Sequence, residues 1–197
     1  MRDVLPAESP YWRKIETALR EIARLYNFHE IDTPILEPAD LFRRTSGEDT
    51  DVVQKEMYLL KTKGGDALAL RPEFTPSIAR AYAEHGLSRL GQPQRLYYRG
   101  PVFRHDKPQL GRFRQFSQVG FEMIGGSSDP SYDAQVALLA VEFLGELKIN
   151  SIVFKINSIG CKICRPLYKK QLQGFYRGFA AGAGGDHAHQ AGVGRLE

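Results

Sequence analysis

The sequence contains few cysteines and no long apolar run. Only two cysteines occur among its 197 residues, Cys161 and Cys164 in C-K-I-C. A structural zinc site usually takes four ligands, so this pair would need partners such as His187 and His189 downstream. We interpret the pair as reduced cysteines in a loop. A redox pair is disfavoured because no thioredoxin-like strand–helix–strand context precedes it.

No apolar run could span a bilayer, and the first ten residues contain no apolar signal region. The chain is 42% hydrophobic and 25% charged, which is typical of a globular domain with a core of its own. We therefore expect a cytoplasmic protein with no membrane contact. The net charge of +4 is compatible with a polyanionic partner but is weak support for one by itself.

The most informative stretch runs from Arg95 to Gly125 and predicts a β-hairpin. Its arms, 95–105 and 112–124, are rich in aromatic and β-branched residues, and a polar loop, 106–111, separates them. Alternation along the second arm places Arg112, Arg114, Phe116, Gln118 and Glu122 on one face. Such a face is poorly suited to an apolar core and well suited to binding a charged ligand. We call this face of the second arm the ligand floor.

The remaining segments predict helices packed on a sheet. Ser9 and Thr75 stand where they could cap helices that begin with Pro10 and Pro76, and Pro34 ends a short strand. The predicted helices are 9–27, 39–44, 76–85 and a helix from 129 with an apolar stripe that includes Leu138 and Val141. The other predicted strands are 28–33, 58–60, 67–70 and 151–157.

Three stretches, taken in order, resemble one protein family. FRHDKPQLGRFRQFSQVGFEMIG resembles the second signature motif of class II aminoacyl-tRNA synthetases in its histidyl version, with Arg104, Arg112, Gln118 and Glu122 in place. FHEIDTPILEPADLFRRTSGEDTDVVQKEMY resembles the first motif, and RPEFT resembles the loop that holds the substrate amino acid. The resemblance covers roughly residues 2–172. It implies an α+β fold, a class II synthetase-like antiparallel sheet flanked by helices, here incomplete.

The family resemblance implies a role for each matching residue. Arg104 would be catalytic and contact both the α-phosphate of ATP and the histidine carboxylate. The other implied histidine-binding residues are Glu73, Thr75, Gln118 and Glu122. The implied ATP-binding residues are Arg104, Asp106, Arg112 and Phe116, with Phe116 as the adenine platform. Lys107 and Gln109 would face the tRNA acceptor end, and Pro34 would lie in a homodimer interface. Phe74 stands where the family often has glycine.

The chemistry that the family performs suits these residue types. Formation of histidyl-adenylate joins a carboxylate to the α-phosphorus of ATP, so two anions must be positioned and their charge stabilised. A planar arginine fork binds phosphate and carboxylate alike, and Mg²⁺ would neutralise the remaining charge. The resemblance thus implies a histidine–tRNA ligase with ATP, Mg²⁺, L-histidine and tRNA(His) as its ligands, and no resident metal.

The chain divides into a predicted catalytic core, 1–173, and a Gly/Ala-rich tail, 174–197, expected to be irregular. A frameshift near Gly178 is one hypothesis for that composition. The family's third motif, its histidine-specific motif and its anticodon-binding domain are not found in the sequence, so we expect this chain to be inactive alone. Two alternatives stay open: a histidine-binding regulatory paralogue of ATP phosphoribosyltransferase, and a truncated non-functional product.

Overall fold

A computed structural model describes residues 2–46, 56–107, 109–149, 151–157 and 160–182. The chain divides into two compact units, Met1–Ile152 and Val153–Glu197. The helices are α1 Ser9–Leu25, α2 Ala39–Ser46, α3 Thr75–Glu84, α4 Pro130–Glu146 and α5 Cys164–Gly182, with a 3₁₀ turn at Leu87–Arg89. The strands are β1 His29–Glu30, β2 Leu36–Pro38, β3 Tyr58–Lys61, β4 Ala67–Leu70, β5 Gln94–Phe103 and β6 Gln115–Ile124. None of the described helices is long and apolar enough to cross a membrane.

The predicted central hairpin is confirmed. Strands β5 and β6 pair antiparallel over ten residues each, from Gln94 opposite Ile124 to Phe103 opposite Gln115. The two-residue strand β1 joins the other edge of β5 in parallel, a pairing that the sequence did not predict. The first unit is thus organised around one long two-stranded ribbon.

A second sheet has the order β2–β4–β3 and is antiparallel throughout. Its hairpin turns at Gly65, whose φ of +97° favours glycine, so the predicted turn is confirmed. The two sheets meet at the residue after β4. The amide of Arg71 donates to the carbonyl of Ile35 at 2.9 Å, and its carbonyl accepts from the amide of Phe103 at 3.0 Å.

The hairpin separates two apolar clusters, one on each face, although the sequence predicted a poor apolar core on the face of Gln118 and Glu122. Val119, Phe121 and Met123 of β6 pack on one face with residues of α1 and α4. On the opposite face, Phe116 and Ile124 pack with the residues of the second cluster: Phe74, Ile78, Leu96, Tyr98 and Val102. The ligand floor predicted for β6 therefore lies on the side of α3.

Three local predictions in the first unit are wrong. Ser9 and Thr75 are the first residues of α1 and α3, and neither caps its helix. The Thr75 hydroxyl instead donates to Oε1 of Glu122 at 2.7 Å. In α4 the buried residue is Leu139, whereas Leu138 is 56% exposed. This helix is apolar on several sides, so its sequence does not fix which side faces the core.

The second unit contains α5 and contradicts two predictions. Residues 151–157 form no strand, and the side chains of Val153 and Ile156 are 79% and 83% exposed. A strand needs a neighbour to satisfy its backbone groups, whereas a helix satisfies its own. The tail predicted to be irregular from Gly174 is helical as far as Gly182, and 183–197 lie outside the described residues.

Candidate functional site

Arg104 lies just beyond the end of β5 and is held in place by three contacts. Its amide donates to the carbonyl of Arg114 at 2.9 Å, which extends the hairpin ladder by one residue. Its Nε donates to the carbonyl of Pro72 at 3.0 Å, and its guanidinium carbon lies 5.5 Å from the centre of the Phe116 ring. A cation over an aromatic face is attracted by the ring quadrupole, so Phe116 also orients the arginine.

Thr75 and Glu122, both predicted to bind histidine, are in contact. The hydrogen bond of 2.7 Å between them joins the first turn of α3 to β6. Burial raises the pKa of the Glu122 carboxyl, the Thr75 hydroxyl lowers it, and the charge of Glu73 raises it further. The structure therefore brings Glu73, Thr75 and Glu122 together as a cluster of acceptors. Such acceptors suit an ammonium group or a ring N–H.

Two buried polar atoms on the same face of the hairpin have no hydrogen-bond partner among the described residues. They are Nε of Arg114 and Oε1 of Gln118. Buried polar groups are nearly always paired in folded proteins, and an unpaired one costs about 1–3 kcal/mol. A ligand that supplies an acceptor for Arg114 and a donor for Gln118 would remove this cost.

Tyr98 completes the floor, and the sequence did not single it out. It stands opposite Gly120, where a Cβ atom would lie 2.2 Å from the tyrosine hydroxyl oxygen. The Tyr98 ring therefore lies across β6 at Gly120, the position of this strand that has no side chain. Burial raises the pKa of Tyr98 to about 12, with further contributions from the charges of Glu122 and Glu73. A neutral hydroxyl thus lies beside the acceptor cluster.

Phe74, the departure from the family pattern, has a structural role. It is fully buried and stacks on Tyr98 with ring centres 4.2 Å apart. The guanidinium carbon of Arg71 lies 3.7 Å from the centre of the Phe74 ring. The aromatic side chain therefore fixes the backbone between Arg71 and Thr75 by packing.

Arg71 fixes this loop through buried hydrogen bonds. It is 1% exposed and donates to the carbonyls of Pro101 at 2.9 Å and Thr33 at 2.5 Å. Burial lowers its pKa, and Asp32, 3.8 Å away, acts in the opposite direction. Removing the hydrogen-bond partners of a buried charge costs much free energy, because the charge is then left uncompensated. Arg71 therefore holds the segment that carries Glu73 in one position.

The loop between the strands forms a second, separate group. Oδ2 of Asp106 lies 3.1 Å from Arg112, and its Oδ1 accepts from the amide of Lys107. The amide of Arg112 donates to the carbonyl of Gln109 at 2.9 Å. Asp106 therefore positions Arg112 and the loop backbone in this arrangement. Lys107 and Arg112 are exposed, as residues that meet phosphates need to be.

A cavity of about 590 Å³ lies at the end of β6 and borders only one predicted ligand residue, Glu122. Its other polar lining includes Asp129 and Asp133 at the start of α4. Among the described residues there is no group of three or more His, Cys, Asp or Glu side chains arranged to hold a metal ion.

The chain is similar to known proteins over most of its length. The family described as Histidyl-tRNA synthetase matches residues 1–169. A histidine–tRNA ligase from Pelotomaculum thermopropionicum is 47% identical over 175 residues, which are 89% of this chain and 41% of that protein. The chain therefore spans about two fifths of the length of this relative.

Solved structures give the same result for the fold. The apo histidyl-tRNA synthetase of S. aureus matches with a TM-score of 0.72 and 36% identity, over 92% of this chain and 42% of that one. A Bacillus halodurans protein described as an ATP phosphoribosyltransferase regulatory subunit/histidyl-tRNA synthetase matches less well, with a TM-score of 0.65 and 30% identity over 76% of this chain and 37% of that one. The class II synthetase-like fold predicted from the motifs is confirmed, and the chain belongs to the histidyl-tRNA synthetase family.

Proposed function

We propose that this chain is the amino-terminal part of the catalytic domain of a histidine–tRNA ligase. The reaction would activate L-histidine with ATP to histidyl-adenylate and then transfer the histidyl group to tRNA(His). The observation that carries the proposal is the polar floor of the hairpin. There Arg104, Gln118 and Glu122 face one side, and two buried polar atoms lack partners among the described residues.

Histidine would bind on this floor. The acceptors Glu73 and Glu122 suit its ammonium group and a ring N–H, and Thr75 holds Glu122 in position. The amide of Gln118 can accept from the second ring nitrogen when that nitrogen carries a proton. A site whose buried polar groups require such partners rejects isosteres that lack them by several orders of magnitude.

ATP would bind towards the open end of the hairpin. Arg104 would bridge the α-phosphate and the histidine carboxylate, which would lower the repulsion between the two reacting anions. Phe116 lies beside it as a surface for the adenine ring, and Arg112 would reach the outer phosphates. Mg²⁺ would be held mainly by phosphate oxygens, since the described residues offer no three-ligand cluster of their own.

Two further features of the proposal concern macromolecular partners. The exposed loop with Lys107 and Gln109 would meet the acceptor end of tRNA(His), where a lysine supplies a phosphate contact. Pro34, between β1 and β2, would lie in a homodimer interface, and the assembly would work in the cytoplasm. Sedimentation of the whole protein tests the dimer: a clean monomer at high micromolar concentration would count against it.

The decisive experiment joins this chain to the downstream three fifths of the Pelotomaculum thermopropionicum relative and measures histidine-dependent ATP–pyrophosphate exchange. We expect exchange by the chimera and none by the chain alone. Arg104→Lys should lower the rate at least about a hundredfold, because an ammonium group cannot make the bidentate contact. Ser117→Ala, an exposed position on the opposite face of β6, serves as the matched control.

The regulatory alternative predicts a different result. A folded chimera that binds histidine and catalyses no exchange would favour a histidine-binding regulatory protein. The intact Arg112 and Phe116, proposed here to bind ATP, favour the ligase, because a regulator that only binds histidine does not need them.

A further inference from the structure

The two cysteines of the chain have no place in the proposed reaction. Cys161 and Cys164 are separated by two residues and lie where α5 begins, with Cys164 as the first residue of the helix. Both are free and exposed, so neither contributes to a core. A buried cysteine is usually an inert packing residue, and an exposed pair is available for reaction.

The structure brings the two sulfur atoms into one small cluster. The amide of Cys161 donates to Sγ of Cys164 at 2.9 Å, and the amide of Cys164 donates to Sγ of Cys161 at 3.3 Å. Each sulfur therefore lies against the backbone of the other cysteine. The two side chains are therefore close neighbours, which a disulfide between them requires.

The surroundings of the Cys161 sulfur stabilise a thiolate. Its sulfur accepts hydrogen bonds from the amides of Cys164 and Ile163, at 3.3 and 3.4 Å. Chiefly these two backbone bonds, with a contribution from the Cys164 thiol, lower the pKa of Cys161 to about 7. The segment 160–182 contains five lysines and arginines and no acidic residue, which also favours a thiolate.

We propose that Cys161 and Cys164 form a reversible redox site, which exchanges with low-molecular-weight disulfides to give an intramolecular disulfide. The Cys161 thiolate attacks one sulfur of the incoming disulfide, the disulfide bond breaks, and one half leaves as a thiol after taking up a proton. Cys164 then loses its proton and attacks the Cys161 sulfur of the mixed disulfide, which releases the second half. Two cysteine thiols are oxidised and one disulfide is reduced to two thiols.

The test uses the full chain in a glutathione buffer of increasing oxidised fraction, followed by mass spectrometry of alkylated protein. We expect the oxidised wild type to take up no alkyl group and to weigh two hydrogen atoms less than the unalkylated reduced chain, and to take up two alkyl groups once reduced glutathione is restored. Cys164→Ser should stop as a single glutathione adduct on Cys161. Cys161→Ser should form its adduct about tenfold more slowly, because the amides activate Cys161 in particular. Ile163→Ala keeps both thiols and both amides and should behave as the wild type.

Two results would overturn the proposal. If the wild type carries two glutathione adducts and no internal disulfide, the cysteines react as independent surface thiols. Equal adduct rates for the two serine variants would show that Cys161 is not activated. A readout by mass does not depend on ligase activity, so the outcome stands whether or not the proposed function is correct.

Discussion

Replacing Gln118 by leucine should separate the stability of the fold from the binding of its ligand. The Oε1 atom of Gln118 is buried without a hydrogen-bond partner among the described residues, on a face that otherwise packs Phe116 and Ile124 against apolar side chains. Leucine has a similar volume and no polar atom. Gln118→Leu therefore removes a desolvation cost of about 1–3 kcal/mol and adds apolar contact.

We expect the free energy of unfolding to rise by about 1 kcal/mol, less than the full cost because the leucine shape fits imperfectly. Urea denaturation of the chain measures this change. In the chimera, calorimetry should show that histidine binds at least about tenfold more weakly, which corresponds to the loss of one buried hydrogen bond. A variant that unfolds less readily and binds histidine more weakly would show that Gln118 serves binding and lowers the stability of the fold.

The matched control is Gln115→Leu. Gln115 lies on the same strand, is exposed, and belongs to the opposite face. Gln115→Leu should change neither the free energy of unfolding nor the affinity for histidine appreciably. If Gln118→Leu destabilises the chain and leaves histidine binding intact, Gln118 is a structural residue and the reasoning from its unpaired oxygen is refuted.

Three other predictions follow from the packing around the site. Gly100→Ala should cost about 1–3 kcal/mol, because its Cβ would lie 2.6 Å from the Arg71 guanidinium and 2.8 Å from the Phe74 ring; Gly145→Ala in α4, with nothing within 4 Å, should be neutral or stabilising in the same denaturation assay. Phe74→Ala should cost about 3–5 kcal/mol by emptying a fully buried site, and a smaller loss would show that Phe74 does not hold the loop. The folded state raises the pKa of Glu122, so its contribution to stability is fully present below the ordinary value of 4.5 and is lost as the pH rises through the raised value. Glu122→Gln should abolish this dependence of stability on pH. At neutral pH the variant should have a higher free energy of unfolding than the wild type, and the difference should disappear below pH 4.5. Parallel pH profiles of the two proteins would contradict this prediction.

The local patterns of the sequence were sufficient for the central hairpin. Its second arm alternates and its loop carries a glycine and a proline, so the hairpin and the identity of the two faces of β6 follow from the side chains. The same alternation placed Gln118 and Glu122 on the floor. What alternation could not give was the partner of each residue across the ribbon. Tyr98 was therefore missed, since its role depends on lying opposite Gly120.

Tertiary contacts decided the elements that the patterns left ambiguous. Helix α4 is apolar on more than one side, so the packing of α1, not its own sequence, selects Leu139 as the buried residue. Thr75 looked like a helix cap, but a carboxylate across the fold at Glu122 provides a stronger partner for its hydroxyl.

The sequence by itself determined the family, the hairpin and the side chains that share the polar face of β6, because these depend on residue identity and on a period of two residues along the strand. The three-dimensional structure alone decided the roles of Phe74 and Arg71 and the hydrogen bond between the Cys161 amide and the Cys164 sulfur, because each depends on atoms brought together by folding. It also decided that residues 151–157 form no strand in this chain, since a strand exists only where another backbone can pair with it.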